Sequence, residues 1–312
     1  MSGLGQFFRR MRRSYLKRLF TKAGYSKDTE LIHYLEGIRA EPVYGEMPLY
    51  YDLFDRTEFL CRSLSLYDLP NDLKSPHDEL FIIGSGPSVR NQHIEKLKNK
   101  NTILLNGAVS LIESAGLSPL CVLIVDELFC RKRQDLLEKI PQGTNLVLTF
   151  PAIKEIAFER PDIIRKNKVF LLHEKNGSFS DAPEFHEINL FLFDKPTYGV
   201  FRAGTVMSAA IQLAAFIKMK NVYLLGLDIG NAESEPRFYE TRKDKVRTGL
   251  LRDYELLILP FMKFASSWYE QHDLKIFNCS PITKLPYSVI PYHDFESLDE
   301  NRNSIYETGR KK

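Results

Sequence analysis

The chain has 312 residues, 44% of them hydrophobic, with 43 Lys and Arg against 40 Asp and Glu. That is enough apolar content for one large globular domain, and the near-balanced charge excludes a low-hydropathy disordered chain. No run of about twenty apolar residues occurs and arginines interrupt the N-terminus, so neither a membrane span nor a cleaved leader is expected. Cys61, Cys121, Cys130 and Cys279 lack C-x-x-C spacing and read as reduced cytosolic thiols.

In chain order, Phe7 to Ala23 sets Phe8, Met11, Tyr15, Leu16, Leu19 and Phe20 at spacings of three and four, with Arg9, Arg10, Arg12, Arg13, Lys17, Arg18 and Lys22 between them. This predicts a basic amphipathic helix over residues 1–25, either lying on an anionic membrane surface or packed on the domain with a solvated basic face. No later basic stripe carries interleaved aromatics, so nucleic acid is not an expected partner. Residues 26–78 read as a mixed helix and loop extension, with LYYDLFDR (Leu49 to Arg56) docking on the main domain.

From Glu79 a repeated pattern begins, in which a short apolar run ends in small or polar residues and a helical stretch follows. Leu80–Ile83 runs into Gly84, Ser85, Gly86, Pro87 and Ser88. Two glycines permit close backbone approach to a ligand, Pro87 presets the first helical φ, and Ser88 offers a hydroxyl, which together suit an anion. Val89 stands where the dinucleotide fingerprint has its third glycine, and no Gly-Lys-Ser/Thr of a Walker loop follows. Further apolar runs at Thr102–Leu105, Leu120–Val125, Leu146–Leu148, Val169–Leu172, Val222–Leu225 and Lys275–Phe277 complete the pattern of a doubly wound, mostly parallel, Rossmann-like α/β sheet. Parallel strands bring their C-terminal ends to one edge, so Gly84, Asn106, Asp126, Asp228 and Ser280 are expected to meet there, although Asn106 and Ser280 also suit helix caps.

Phe201 to Asp228 forms the second strong segment: small residues from Ala203 to Ala210 open a helix, Gly204 and Thr205 face the edge, and Arg202 precedes them. The aromatic stretch before it, Pro183 to Val200, suits a lid or acceptor wall, and the polar stretch from Gly230 to Gly249 a surface loop at the site. Arg252 and Asp253 open a last helix through Leu256, Phe261 and Phe264, read as core. Tyr287–Phe295 reads as a wrap on the sheet edge, and 299–312 as a frayed tail.

GSGPS after the first strand, and AGTVMSAAIQLA leading through NVYLLGLD, resemble the bacterial CMP-sialic acid sialyltransferase superfamily. Closer is the resemblance to the lipopolysaccharide-core transferases that add a third Kdo (3-deoxy-manno-octulosonic acid), carried from Asn106 to Tyr292 by LLNGAVSLIESAGLSPLCVLIVDELF, RFYE, LLRDYELLILPFMKF and YSVIPY. It implies a sialyltransferase-like GT-A variant over residues 79–298. Gly84, Ser85, Gly86, Pro87 and Ser88 would hold the CMP phosphate and ribose, Asn106 and Asp126 would line the pocket, Gly204 and Thr205 would approach the cytidine, and Arg202 and Tyr239 would face the phosphate. The superfamily's catalytic histidine has no counterpart between Asp228 and Trp268.

The chemistry so implied needs stabilisation of a leaving phosphate, from helix N-termini with Arg202, Tyr239 and Arg252, and a base for an acceptor hydroxyl. Asp126 is the first nominee, at a strand end where a carboxylate has little structural purpose. Asp228 follows, with a ribose contact or a loop cap as its other role, and then His173 and His186. CMP has one phosphate, so no metal or other cofactor is expected. The expected partners are a CMP-sugar donor, a lipid-linked lipopolysaccharide core and the inner face of the bacterial inner membrane. Competing readings are a CMP-sialic acid sialyltransferase, a pterin pyrophosphokinase-like enzyme and a non-catalytic nucleotide-binding membrane adaptor.

Overall fold

The computed structural model describes residues 38–40, 47–53, 56–75, 78–172, 174–178 and 200–298. The basic helix expected over 1–25, the aromatic stretch up to 199, His173, His186 and the tail 299–312 lie outside these residues.

All seven apolar runs form strands of one parallel sheet: β4 (Glu79–Ile83), β5 (Asn101–Leu105), β6 (Cys121–Ile124), β7 (Asn145–Leu148), β8 (Lys168–Leu171), β11 (Asn221–Leu225) and β12 (Lys275–Asn278), in the order β12-β11-β4-β5-β6-β7-β8, while β9 (Glu174–Ser178) and β10 (Val200–Arg202) pair in parallel as a separate two-stranded sheet. Both faces are covered. Leu80, Ile82, Ile103, Leu105 and Leu123 pack on the helices Val206–Phe216 and Leu259–Gln271. Their alternates Phe81, Ile83, Leu104, Val122 and Ile124 pack with Ile153 and Ile156 of the helix Phe150–Glu159. Burial on both faces is why these strands read as unbroken apolar runs.

Among the described residues of the 26–78 extension, three strands stand where helix and loop were expected. β1 (Ile38–Ala40), β2 (Met47–Leu53) and β3 (Arg56–Ser63) form an antiparallel sheet in that order. Leu64 then donates its N–H to the Val169 carbonyl at 2.7 Å, which ties this sheet to the edge strand β8. The LYYDLFDR segment therefore supplies most of β2 and the first residue of β3, with Leu49 fully buried.

The polar segment after β4 is not an α-helix but two 3₁₀ turns, Pro87–Asn91 and Ile94–Leu97. Leu250–Asp253 opens the last helix as expected, but Tyr254–Ile258 forms a π turn before the run to Gln271. Pro260 has no N–H to give to the preceding turn, which accounts for the irregularity. It leaves Leu256 exposed rather than in the core. Tyr287–Phe295 wraps the β12 edge as read: Asn278 donates to Pro291 and accepts from His293, at 2.9 and 3.0 Å.

All four cysteines are free; burial pushes the Cys61 and Cys279 thiols up to about 12 and those of Cys121 and Cys130 higher than usual, which keeps them unreactive.

Candidate active site

The strand order reverses at β4, which lies between β5 and the later strand β11. Loops leaving the C-terminal ends of β4 and β11 bound a crevice there. A cleft of about 960 Å³ occupies this edge, lined by Gly84, Ser85, Gly86, Pro87, Asn106, Asp126, Arg202, Gly204, Thr205, Asp228 and Arg252. Eleven of the residues nominated from sequence thus meet in one cavity.

Ser88, Tyr239 and the buried Ser280 do not line it. Ser88 is buried and gives both its donors to Asp228: the backbone N–H to Oδ2 at 2.6 Å and the hydroxyl to Oδ1 at 2.7 Å. The hydroxyl expected at a phosphate is therefore committed to the protein. Tyr239 lies against Gly107, where an added Cβ would fall 2.0 Å from its ring, and its ring stacks with the Arg133 guanidinium at 5.0 Å. Burial pushes its phenol up to about 12.

The two glycines of GSGPS serve packing more directly than ligand approach. Gly84 and Gly86 donate to the Leu225 and Gly226 carbonyls at 2.8 and 3.0 Å, and a Cβ at either would fall within 2.9 Å of the Gly226 oxygen. Asp228, with Ser280 Oγ accepting from Leu227 N–H at 2.7 Å, fixes the β11 loop to the same turn. Burial raises the Asp228 carboxyl above its ordinary value, opposed by hydrogen bonds from Ser88 and Ser280. Of the roles weighed for Asp228, as base, ribose contact or loop cap, the loop cap is the one observed.

Asp126 also has a structural purpose that sequence reading denied it. Its Oδ1 accepts from Leu128 N–H at 2.8 Å, capping the helix Glu127–Lys132. Asn106 sits at a left-handed φ of 48°, and its buried Oδ1 has no hydrogen-bond partner among the described residues. Gly204, at φ 72°, abuts Asp253 and Ile258, while Thr205 caps the helix Val206–Phe216 through Met207 N–H at 3.3 Å.

Arg202 and Arg252 enter the cleft already paired: Arg202 with Glu174 at 2.6 Å, Arg252 with Asp253 at 2.7 and 2.9 Å. Sequence reasoning expected the 230–249 loop at the site but not how it is held. Arg90 donates to the carbonyls of Phe238, Arg237 and Glu240, at 2.7 to 3.0 Å, and Phe238 N–H to Ser85 O at 3.2 Å. Buried Glu240 accepts from Arg237 Nη1 at 2.8 Å, from Arg237 N–H at 3.1 Å and from Val246 N–H at 3.4 Å. The loop is thereby clamped on the GSGPS turn and adds Arg237, Lys245 and Arg247 to the cleft wall. Only the arginine-rich composition of the loop signalled this.

Residues 53–234, more than half of the chain, match the family described as 6-hydroxymethylpterin diphosphokinase MptE-like, and the chain belongs to that family. Two curated relatives are each named probable 3-deoxy-manno-octulosonic acid transferase. The Escherichia coli protein is 26% identical over 71% of this chain and 84% of its own length, the Salmonella typhimurium protein 26% identical over 73% and 91%. Among solved structures, a MAf glycosyltransferase from Magnetospirillum magneticum is 16% identical at a TM-score of 0.48; the match covers 74% of this chain and 37% of that one. A Campylobacter jejuni sialyltransferase, solved in complex with a substrate analogue, cytidine-5'-monophosphate, is 15% identical at a TM-score of 0.41, covering 71% and 87%. Among the described residues, no helix is long and apolar enough to cross a membrane.

Proposed function

We propose that this member of the MptE-like family is a glycosyltransferase that moves Kdo from CMP-Kdo to a lipopolysaccharide inner-core acceptor. The observation that carries the reading is the convergence of Gly84, Ser85, Gly86 and Pro87 with Asn106, Asp126, Gly204 and Thr205 in one cleft at the switch point of a parallel sheet. The names of the two curated relatives support the sugar, and the sequence resemblance supports the nucleotide.

In this reading the polar turn at Ser85–Pro87 and the N-terminus of the helix at Thr205 face the nucleotide, and its departing phosphate is stabilised by those backbone dipoles and by cleft arginines. The donor carbon gains positive character as the phosphate leaves, and Asp126 accepts the acceptor's hydroxyl proton through the oxygen its cap leaves unused. The single phosphate of CMP needs no metal clamp. A basic N-terminal helix holds the enzyme on the cytoplasmic membrane face, where a lipid-linked acceptor is presented.

Asp126→Asn separates base from cap, because asparagine caps a helix as well as aspartate. The expected result is a fall in acceptor-dependent turnover of about 100-fold or more with an unchanged melting temperature. Full turnover in the variant would remove Asp126 as base.

Family membership favours a second reading, ATP-dependent diphosphoryl transfer to a hydroxymethylpterin. The two differ in product: AMP is released in one, CMP in the other.

A further inference from the structure

The cleft wall holds five cations, Arg202, Arg237, Lys245, Arg247 and Arg252. Four are engaged within the protein. Arg202, Arg237 and Arg252 each pair with a carboxylate, Glu174, Glu240 and Asp253 respectively, and the Lys245 ammonium is hydrogen-bonded to the Glu233 carbonyl. Arg247 alone among these five has no hydrogen bond or carboxylate partner among the described residues.

Its backbone is nevertheless held on both sides. Val246 donates to Glu240 Oε1 at 3.4 Å and accepts from Arg237 Nη1 at 3.1 Å, and Thr248 Oγ1 accepts from Leu250 N–H at 3.3 Å, where the helix Leu250–Asp253 begins. A guanidinium on a tethered backbone, at the wall of the cleft and with all its donors unused, is suited to bidentate recognition of an anion. The paired arginines are less suited, because an incoming anion would have to displace a carboxylate from each.

We infer that Arg247, rather than Arg202 or Arg252, is the residue that recognises the phosphate of the nucleotide bound in this cleft. The inference rests on the nucleotide reading above and adds the residue that distinguishes a nucleotide from its nucleoside.

The test is calorimetric titration of the full chain, wild type, Arg247→Ala and Arg247→Lys, with CMP, cytidine and free Kdo. Wild type is expected to prefer CMP to cytidine. Arg247→Ala should weaken CMP by about 10- to 100-fold, as expected for loss of a charge-assisted bidentate contact, leave cytidine unchanged, and keep the wild-type melting temperature because the side chain is exposed. The lysine variant should recover part of the preference. A CMP-to-cytidine ratio preserved in Arg247→Ala would overturn the inference while leaving the nucleotide reading intact. So would loss confined to free Kdo, which would place the guanidinium on the sugar carboxylate. No binding of CMP or cytidine to the wild type would overturn the nucleotide reading itself, and the inference with it.

Discussion

Asp228→Ala is expected to lower stability by about 2–4 kcal/mol, since it leaves two buried donors of Ser88 unsatisfied, and turnover by about 100-fold, since it frees the nucleotide-facing turn to shift. Both carboxylate oxygens are in use, at 2.6 and 2.7 Å from Ser88 N and Oγ, and the residue is only 4% exposed. Asp228→Asn should behave differently. Its one carbonyl oxygen still accepts from Ser88 N–H, and the hydroxyl can rotate to accept from the new amide. Stability of this variant at neutral pH should stay within about 1 kcal/mol of wild type, because the lost charge was a desolvated one.

The two variants also differ from wild type in pH dependence. Burial raises the folded-state pKa of Asp228 above its ordinary value. As pH rises, the unfolded carboxyl loses its proton first, so the contribution to stability is full below the unfolded pKa and declines as pH passes through the raised folded value. Urea unfolding across the acid range should show this decline in wild type and its absence in Asp228→Asn. A decline of the same size in the asparagine variant would assign it to another carboxyl.

Gly86→Ala is the second large effect. The φ of Gly86 is −61°, open to any residue, so the glycine is there for space. A Cβ would fall 2.5 Å from Asp228 Cγ and 2.6 Å from the Gly226 carbonyl oxygen. The carboxylate can be removed by mutation, but the Gly226 oxygen is backbone of the β11 loop. Overpacking of this kind costs about 1–3 kcal/mol, and here it must also separate the β4 and β11 loops that form the cleft floor. Turnover should fall by about 100-fold or more. Gly143 supplies the comparison: its φ of 83° strains a side chain, but no atom lies within 4 Å of a Cβ there, so Gly143→Ala should cost only about 1–2 kcal/mol and leave turnover alone. Wild-type turnover in Gly86→Ala would show that the loops accommodate the Cβ without separating.

How much of this was legible in the sequence depended on burial. The seven parallel strands announce themselves because residues such as Leu80 to Ile83 are buried on both faces and must all be apolar. Once the strands are ordered, topology alone brings Gly84, Asn106, Asp126 and Asp228 to one edge. The sheet β1–β3 was not legible because charged and aromatic residues interrupt its apolar positions. Its one local signal is that β2 and β3 are separated by two residues only, a hairpin spacing. Individual roles were less visible still. Asp126 was assigned to ligand from its place at a strand end and Ser88 from its hydroxyl in the glycine turn, yet each satisfies a backbone or carboxylate partner that only the folded loops supply. Arg90, 147 to 150 residues before the carbonyls it holds, gives no sequence sign of clamping the loop.

The most direct measurement is nucleotide release by the purified protein offered CMP-Kdo, generated in situ, CMP-sialic acid, or ATP with a hydroxymethylpterin, each with and without its acceptor. Acceptor-dependent release of CMP from CMP-Kdo alone, on a Kdo-bearing lipid A, is the predicted result. Release of AMP with the pterin, or no release from either CMP donor, would contradict it.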